Sequence, residues 1–259
     1  YEILSVKWRG TKAQWEIIHR SMRILLILII PVALAIHTVT SWLFASTPRV
    51  GWNSTIFGPY FVSGAFVAGI ACVIIAMYFF RKNYHLEKYI TELHFNNMAK
   101  LLVLVSLVYL YFNINEFLVP GYKLEHGDAI HLKDIFIGHN AGLFWFAQLF
   151  GIIIPIILLL FRQMRKPFPM LILAILIFFA SWIKRYIIVV PTQEHPFLPI
   201  QHVPANFLIY KPTLIEIAIT LASFILVLMI ITVLSKLFPV IPVWEMQEEF
   251  ELKEKGNQS

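Results

Sequence analysis

Polar side chains recur at helical spacing inside the long hydrophobic runs of this sequence. Four of them lie three, four and three residues apart and therefore share one helical face: Ser106, Tyr109, Asn113 and Glu116. Hydroxyls, an amide and a carboxylate in a row can pass a proton, or they can hydrogen-bond neighbouring helices. For the hydroxyls alone we favour helix packing, and for the carboxylate we favour a function.

The hydrophobic runs also contain two adjacent cations, Lys184 and Arg185, and a second carboxylate, Glu216. Ionisable groups in hydrocarbon are costly and usually face a cavity or each other. Burying four charges merely to hold helices together is inefficient, although mutual neutralisation is the structural alternative. We therefore expect Glu116 to pair with Lys184 or Arg185. The proton path that this predicts comprises Tyr109, Asn113, Glu116, Lys184, Arg185 and Glu216.

One histidine lies well inside a hydrophobic run. His37 and Ser41 are four residues apart on one helical face, and Trp42 adjoins them. A basic group beside an aromatic wall suits the head group of a small ligand. The residues alone favour the simpler interpretation, in which His37 hydrogen-bonds a neighbouring helix.

The sequence offers few ligands for a redox centre. Cys72 is the only cysteine, so the chain can form no internal disulfide and cannot hold an iron–sulfur cluster with its own thiolates. A haem would need axial ligands such as a facing histidine pair, whereas only His37 lies inside a run. We expect no metal, haem or cluster bound by this chain.

The elements that position these residues are membrane helices. Of 259 residues, 59% are hydrophobic and 14% charged, and the mean hydropathy is +0.73; soluble domains are about 45–50% apolar and about 25% charged. An all-α integral membrane protein is indicated, and a soluble enzyme or a nucleic-acid binder is a poor interpretation. Runs of about 20 residues span a bilayer. Six such spans are predicted, at 24–44, 58–80, 101–120, 141–161, 168–190 and 214–238.

Lys and Arg predict the orientation of these spans. Fifteen lie on the side that holds segment 1–23 and tail 239–259, and four on the other side. Cytoplasmic loops carry the excess of Lys and Arg, so both termini are predicted to be cytoplasmic.

Of the two long outer loops, 121–140 is acidic and histidine-bearing, and we favour a solvated loop over a metal site. Loop 191–213 has five prolines and is predicted to be stiff and non-helical, either as a docking surface or as a plain connector.

Several stretches resemble the NrfD-like family of polysulfide reductase membrane subunits, and most of all its version in alternative complex III. They are IHTVTSWLFASTPRVGWNSTIFGPYFVSGAFVAG (36–69), YITELHFNNMAKLL (89–102), NINEFLVPGY (113–122), IKRYIIVVPT (183–192) and YKPTLIEI (210–217). The family fold has two four-helix bundles. The resemblance implies that this chain corresponds to the C-terminal part, with one four-helix bundle and flanking helices, and that residues upstream of Tyr1 are missing.

The resemblance implies a haem-free, quinol-oxidising subunit of a bacterial inner-membrane complex rather than a stand-alone enzyme, with no catalytic residue acting in isolation. It would bind menaquinol or ubiquinol through His37, Ser41 and Trp42, and conduct protons through the path given above. Its expected partners are a periplasmic iron–sulfur subunit, further integral membrane subunits, c-type cytochrome subunits and lipids. Two alternatives stay open: an ion- or proton-translocating transporter subunit, and a structural membrane anchor without its own quinol site.

Overall fold

The computed structural model describes residues 11–195, 204 and 209–237, and within this part of the chain the regular structure is entirely helical. A five-residue π-helical segment, Leu149–Ile153, joins two of the helices, and a short 3₁₀ turn, Arg162–Arg165, precedes another. The helices are α1 (Lys12–Ala45), α2 (Phe57–Asn83), α3 (Glu92–Lys123), α4 (His126–Phe136), α5 (Ala141–Gln148), α6 (Ile154–Leu160), α7 (Pro167–Glu194) and α8 (Leu214–Leu237).

Six helical stretches are long and apolar enough to cross a membrane. They are α1, α2, α3, the continuous run Ala141–Leu160, α7 and α8. The predictions of an all-helical structure and of six helices able to span a membrane are thus confirmed for the described residues. Four of the helices, α1, α2, α3 and α7, extend beyond the predicted hydrophobic runs, because a helix can continue into polar residues past the hydrocarbon boundary. The predicted tail 239–259 and residues 1–10 lie outside the described residues.

The chain divides into two compact units, Ala33–Tyr210 and a second made of Tyr1–Val32 with Lys211–Ser259. In the first unit, α2 packs against α3 and α7, α3 packs against α6, and α7 packs against α5 and the π-helical segment. Its core is apolar and includes Ile74, Phe95, Leu102, Met170 and Ile177. In the second unit, the apolar side chains of α8 are exposed, as expected for a helix that faces lipid.

The predicted loop 121–140 is largely helical, which corrects that prediction. Helix α3 continues to Lys123. Leu124 caps it and has a left-handed φ of 48°. Helix α4 then begins at His126. Its buried residues His131 and Ile135 are four apart, so a helical period was present in a segment whose polar composition suggested a loop.

The start of the proline-rich segment 191–213 is also helical. Helix α7 continues to Glu194 and contains Pro191 in its last turn. Pro191 has no N–H for the carbonyl of Ile187, and such losses are tolerated in membrane helices where neighbouring groups bond to the backbone. At the adjacent carbonyl, that of Ile188, the Trp52 indole donates a hydrogen bond at 2.6 Å. Most of the remaining segment lies outside the described residues.

The π-helical segment interrupts the fourth predicted span. The Ile154 N–H donates to the carbonyl of Leu149, five residues earlier. Pro155 follows directly and has no N–H for the carbonyl of Gly151, which favours such a local rearrangement. Gly151 also approaches α7 closely, because a Cβ there would lie 2.7 Å from the Cβ of Ala180.

Candidate functional site

The polar row on α3 faces the interior of the first unit. Ser106, Tyr109, Asn113 and Glu116 are all buried, and only 6% of Glu116 is exposed. Their common face, which the spacing predicts, therefore packs against other helices rather than against lipid. Burial of a carboxylate at this depth is costly unless its oxygens have partners.

Glu116 has one such partner in the turn between α1 and α2. Ser54 Oγ donates to Glu116 Oε2 at 2.9 Å. The turn is fixed on α7 by the Trp52 indole, and Arg49 Nη1 donates to the carbonyl of Thr192 at 3.5 Å. This anchoring places Ser54 over the end of α3.

Lys184 is held by aromatic rings instead of by a carboxylate. It is 5% exposed, and its Nζ lies 4.7 Å from the ring centre of Phe117, 5.0 Å from that of Phe144 and 5.7 Å from that of Tyr60. Among the described residues, Nζ has no hydrogen-bond partner and no carboxylate within 4 Å. The structure therefore differs from the predicted ion pair between Glu116 and Lys184.

Arg185 faces α2, so it does not pair with Glu116 either. Its guanidinium carbon lies 3.7 Å from the ring centre of Phe61, and Nη2 donates to the carbonyl of Phe61 at 3.5 Å. The cation–π contacts of the two cations with aromatic rings partly replace the hydration that each loses on burial.

Asn113 is paired with an amide that the sequence interpretation overlooked. Asn113 Nδ2 donates to Gln148 Oε1 at 2.6 Å, and Gln148 Nε2 donates back to Asn113 Oδ1 at 3.3 Å. Gln148 ends α5, one residue before the π-helical segment. A lone polar amide in an otherwise apolar span was the signal that could have revealed it.

Two small cavities meet at Lys184 and Tyr60. The first, which we call the chamber, has a volume of about 40 Å³. Its polar walls are formed by Asn53, Ser54, Tyr60, Glu116, Asp128, His131, Lys184 and Thr192. The second cavity, of about 20 Å³, shares Tyr60 and Lys184 and adds Tyr109, Ser181 and Arg185. The Tyr60 and Tyr109 rings stack at 5.6 Å, with Gly64 beside them because a Cβ there would lie 2.9 Å from Tyr109.

His131 belongs to this site, although its segment was predicted to be a solvated loop. A Cβ on Gly51, whose φ is +85°, would lie 2.8 Å from His131 Nε2. Burial, with a smaller contribution from His195, lowers the pKa of His131 to about 4, while Asp134 acts in the opposite direction. His195 Nε2 in turn lies 3.7 Å from Asp134 Oδ2. The signal for His131 was its spacing of three and four residues from Asp128 and Ile135.

His37, Ser41 and Trp42 do not line either of these cavities. His37 is half-buried, and its Nδ1 donates to the carbonyl of Ala33 at 2.8 Å, which leaves Nε2 for another partner. Ser41 is buried and donates to the carbonyl of Thr38 at 2.7 Å, whereas Trp42 is exposed. The three residues offer one basic nitrogen and an aromatic surface, which fits part of the wall of a quinol site but does not enclose one.

Glu216 belongs to the second unit and lies in the first turn of α8. Its Oε2 accepts hydrogen bonds from the backbone N–H of Thr213 at 2.7 Å and from the Thr213 hydroxyl at 2.9 Å. This is a local N-terminal arrangement of α8. Among the described residues, no group of three or more His, Cys, Asp or Glu side chains is arranged to hold a metal ion.

Comparison with known proteins gives the family. Residues 2–196, which contain every residue of both cavities, match the family model described as polysulphide reductase, NrfD. Over 239 residues the chain is 27% identical to the C subunit of the selenate reductase of Mesobacillus selenatarsenatis, covering 89% of this chain and 54% of that protein. The chain thus spans about half the length of the curated relative that it matches. Since the family model covers most of the sequence, the chain belongs to the NrfD polysulphide reductase family of membrane subunits.

Proposed function

We propose that this chain is the subunit through which membrane quinol supplies electrons to a redox partner, and that its buried polar cluster conducts the accompanying protons. The family, together with the relative named as part of a selenate reductase, supports a place in a reductase complex. Quinol is the electron donor available within the bilayer, and its oxidation releases protons that need acceptors. An alternative complex III is one such assembly, in which electrons pass on to c-type cytochromes.

The observation that carries the proton-conducting part is the placement of Glu116 and Lys184. Both are almost fully buried within membrane-spanning helices, yet they are not joined as an ion pair. A structural role for buried charges is best served by direct pairing. Separate charges beside small cavities are the arrangement expected where protons or ions move.

The quinol head group is proposed to contact His37, with Ser41 and Trp42 nearby. The Nε2 of His37 suits a proton acceptor, because a neutral imidazole that donates from Nδ1 keeps an accepting lone pair on Nε2. In this proposal the rest of the pocket is supplied by other parts of the assembly. We also propose that both termini are cytoplasmic, in a bacterial inner membrane, and that a periplasmic iron–sulfur subunit docks at the end of the protein that bears α4.

The test is Glu116→Gln in the assembled complex, with Glu92→Gln as the control. Both changes replace a carboxylate on α3, but Glu92 is exposed at the other end of the helix. We expect Glu116→Gln to slow quinol-driven electron transfer by roughly tenfold or more, since general acid–base groups contribute about that or more. Glu92→Gln should leave the rate unchanged.

Subunit content, measured on the same preparations, separates function from assembly. If Glu116→Gln leaves the rate unchanged in a complete complex, the proton-conducting role is wrong and an anchor function remains. If protons cross the membrane through the wild-type complex without quinol, the transporter alternative is favoured instead.

A further inference from the structure

Three residues that line one cavity of this protein carry buried polar atoms for which the described residues supply no hydrogen-bond partner. Tyr60 Oη, Lys184 Nζ and His131 Nδ1 each lack a hydrogen-bond partner among the described residues. Their residues are 2%, 5% and 8% exposed, and all three line the chamber. Buried polar groups in proteins are nearly always hydrogen-bonded. Three unpaired polar groups around one small cavity therefore indicate a shared partner inside it.

The size and the charges of the chamber favour water as that partner. A cavity needs about 10–15 Å³ of this kind of volume for one water, so about 40 Å³ accommodates up to about three. The walls offer both signs of charge, with Glu116 and Lys184 in the same lining. An anion would face the carboxylate and a cation would face the ammonium, whereas neutral water can donate to one and accept from the other.

The position of His131 makes it the outermost of the three groups. It lies on α4, outside the membrane-spanning helices, while Tyr60 and Lys184 lie within α2 and α7. Because its pKa is lowered to about 4 by burial and by His195, against the opposing effect of Asp134, its imidazole is neutral at neutral pH. A neutral imidazole accepts a proton on one nitrogen and donates from the other. Gly51 packs against Nε2, since a Cβ at that position would come within 2.8 Å of this nitrogen.

We propose that the chamber is filled with ordered water and that His131 is the outer terminus of the proton path, receiving protons from Glu116 through that water. A proton leaves the Glu116 carboxyl group for the water, the water protonates His131 Nδ1, and His131 releases its Nε2 proton to the aqueous side. The imidazole then returns to its starting tautomer. This inference rests on the proposed role of Glu116 in proton conduction.

The first test is quinol-driven electron transfer in the assembled complex carrying His131→Phe or His131→Gln. The matched control is His126→Phe, on the same helix but exposed. We expect both His131 variants to slow turnover by roughly tenfold, because neither side chain can carry the proton, and His126→Phe to match the wild type. In a Glu116→Gln background, His131→Phe should add no further loss if the two groups act in series.

The outcomes separate this inference from the proposed function. If Glu116→Gln slows electron transfer while His131→Phe and His131→Gln keep the wild-type rate, the proposed role of His131 is wrong and that of Glu116 stands. Wild-type rates in all three variants would overturn both. Should His131→Phe fail to assemble, His131→Gln, which keeps a hydrogen-bonding group, gives the answer.

The second test is direct and does not depend on turnover. A map of the complex that resolves ordered water should show density within hydrogen-bond distance of Lys184 Nζ and of His131 Nδ1. A dry chamber, or one filled by a rearranged side chain, would overturn the proposal whatever the rates are.

Discussion

At the scale of single residues, Lys184 is a buried cation that no ion pair holds in place. Its ammonium contacts three aromatic rings and no carboxylate within 4 Å among the described residues. Breaking a buried ion pair typically costs about 3–5 kcal/mol, because one charge is left without its partner. Removing Lys184 leaves Glu116 with its hydrogen bond from Ser54, so this cost should not arise.

We therefore predict that Lys184→Met lowers the stability of the complex by less than about 1 kcal/mol while it impairs proton-coupled turnover. Thermal unfolding of the purified complex measures the first effect, with exposed Lys133→Met as the control. A loss near 3–5 kcal/mol would instead reveal an ion pair that forms in the assembled complex.

His131 predicts a pH dependence of stability. Its pKa of about 4 in the folded protein lies below the ordinary value of 6.5, so the unfolded chain binds the proton more readily. The stabilising effect of the neutral form is complete above about pH 6.5 and is lost as the pH falls towards 4, by up to about 1.4 kcal/mol per pH unit. Unfolding midpoints between pH 7 and pH 5 should thus fall further for the wild type than for His131→Gln; equal slopes would contradict the buried neutral histidine.

At the scale of elements, hydropathy was sufficient for the six spans and insufficient for what lies between them. Hydrocarbon thickness fixes the length of a spanning run, so α2 and α8 begin and end close to their predicted bounds. Helix α4 was overlooked because its sequence is polar and only one narrow face of it is buried. The π-helical segment depends on Pro155 and on close packing against α7, which no hydropathy pattern records.

The packing of that segment can be tested with two glycines of one helical run. Gly151→Ala brings a Cβ to 2.7 Å from that of Ala180, so α7 must shift, and we expect a loss of about 1–3 kcal/mol. Gly142→Ala meets nothing within 4 Å and should be neutral or slightly stabilising, since alanine favours helix. Equal unfolding midpoints for the two variants would contradict the close approach of the π-helical segment to α7.

At the scale of the whole molecule, the site is assembled from residues far apart in the chain. Spacing along α3 revealed Tyr109, Asn113 and Glu116, because a helix repeats its face every three to four residues. Ser54, Tyr60 and His131 come from three other segments, and their approach to Glu116 and Lys184 depends on tertiary packing. A single sequence carries no periodic signal for such contacts.

The proposed orientation makes a prediction about accessibility. In a variant whose Cys72 is replaced by alanine, a cysteine at exposed Lys133 should react with an impermeant thiol reagent from the periplasmic side. A cysteine at exposed Lys88, on the opposite side, should react only after the membrane is disrupted. The reverse pattern would invert the topology and place the chamber at the cytoplasmic end.

The measurement that tests the central claim most directly records the rates of proton movement and of electron transfer by the complex in sealed vesicles after a limited pulse of quinol. If the buried cluster conducts protons, both rates should fall in Glu116→Gln, while Glu92→Gln keeps both wild-type rates. A complete Glu116→Gln complex with both rates at the wild-type value would contradict the account.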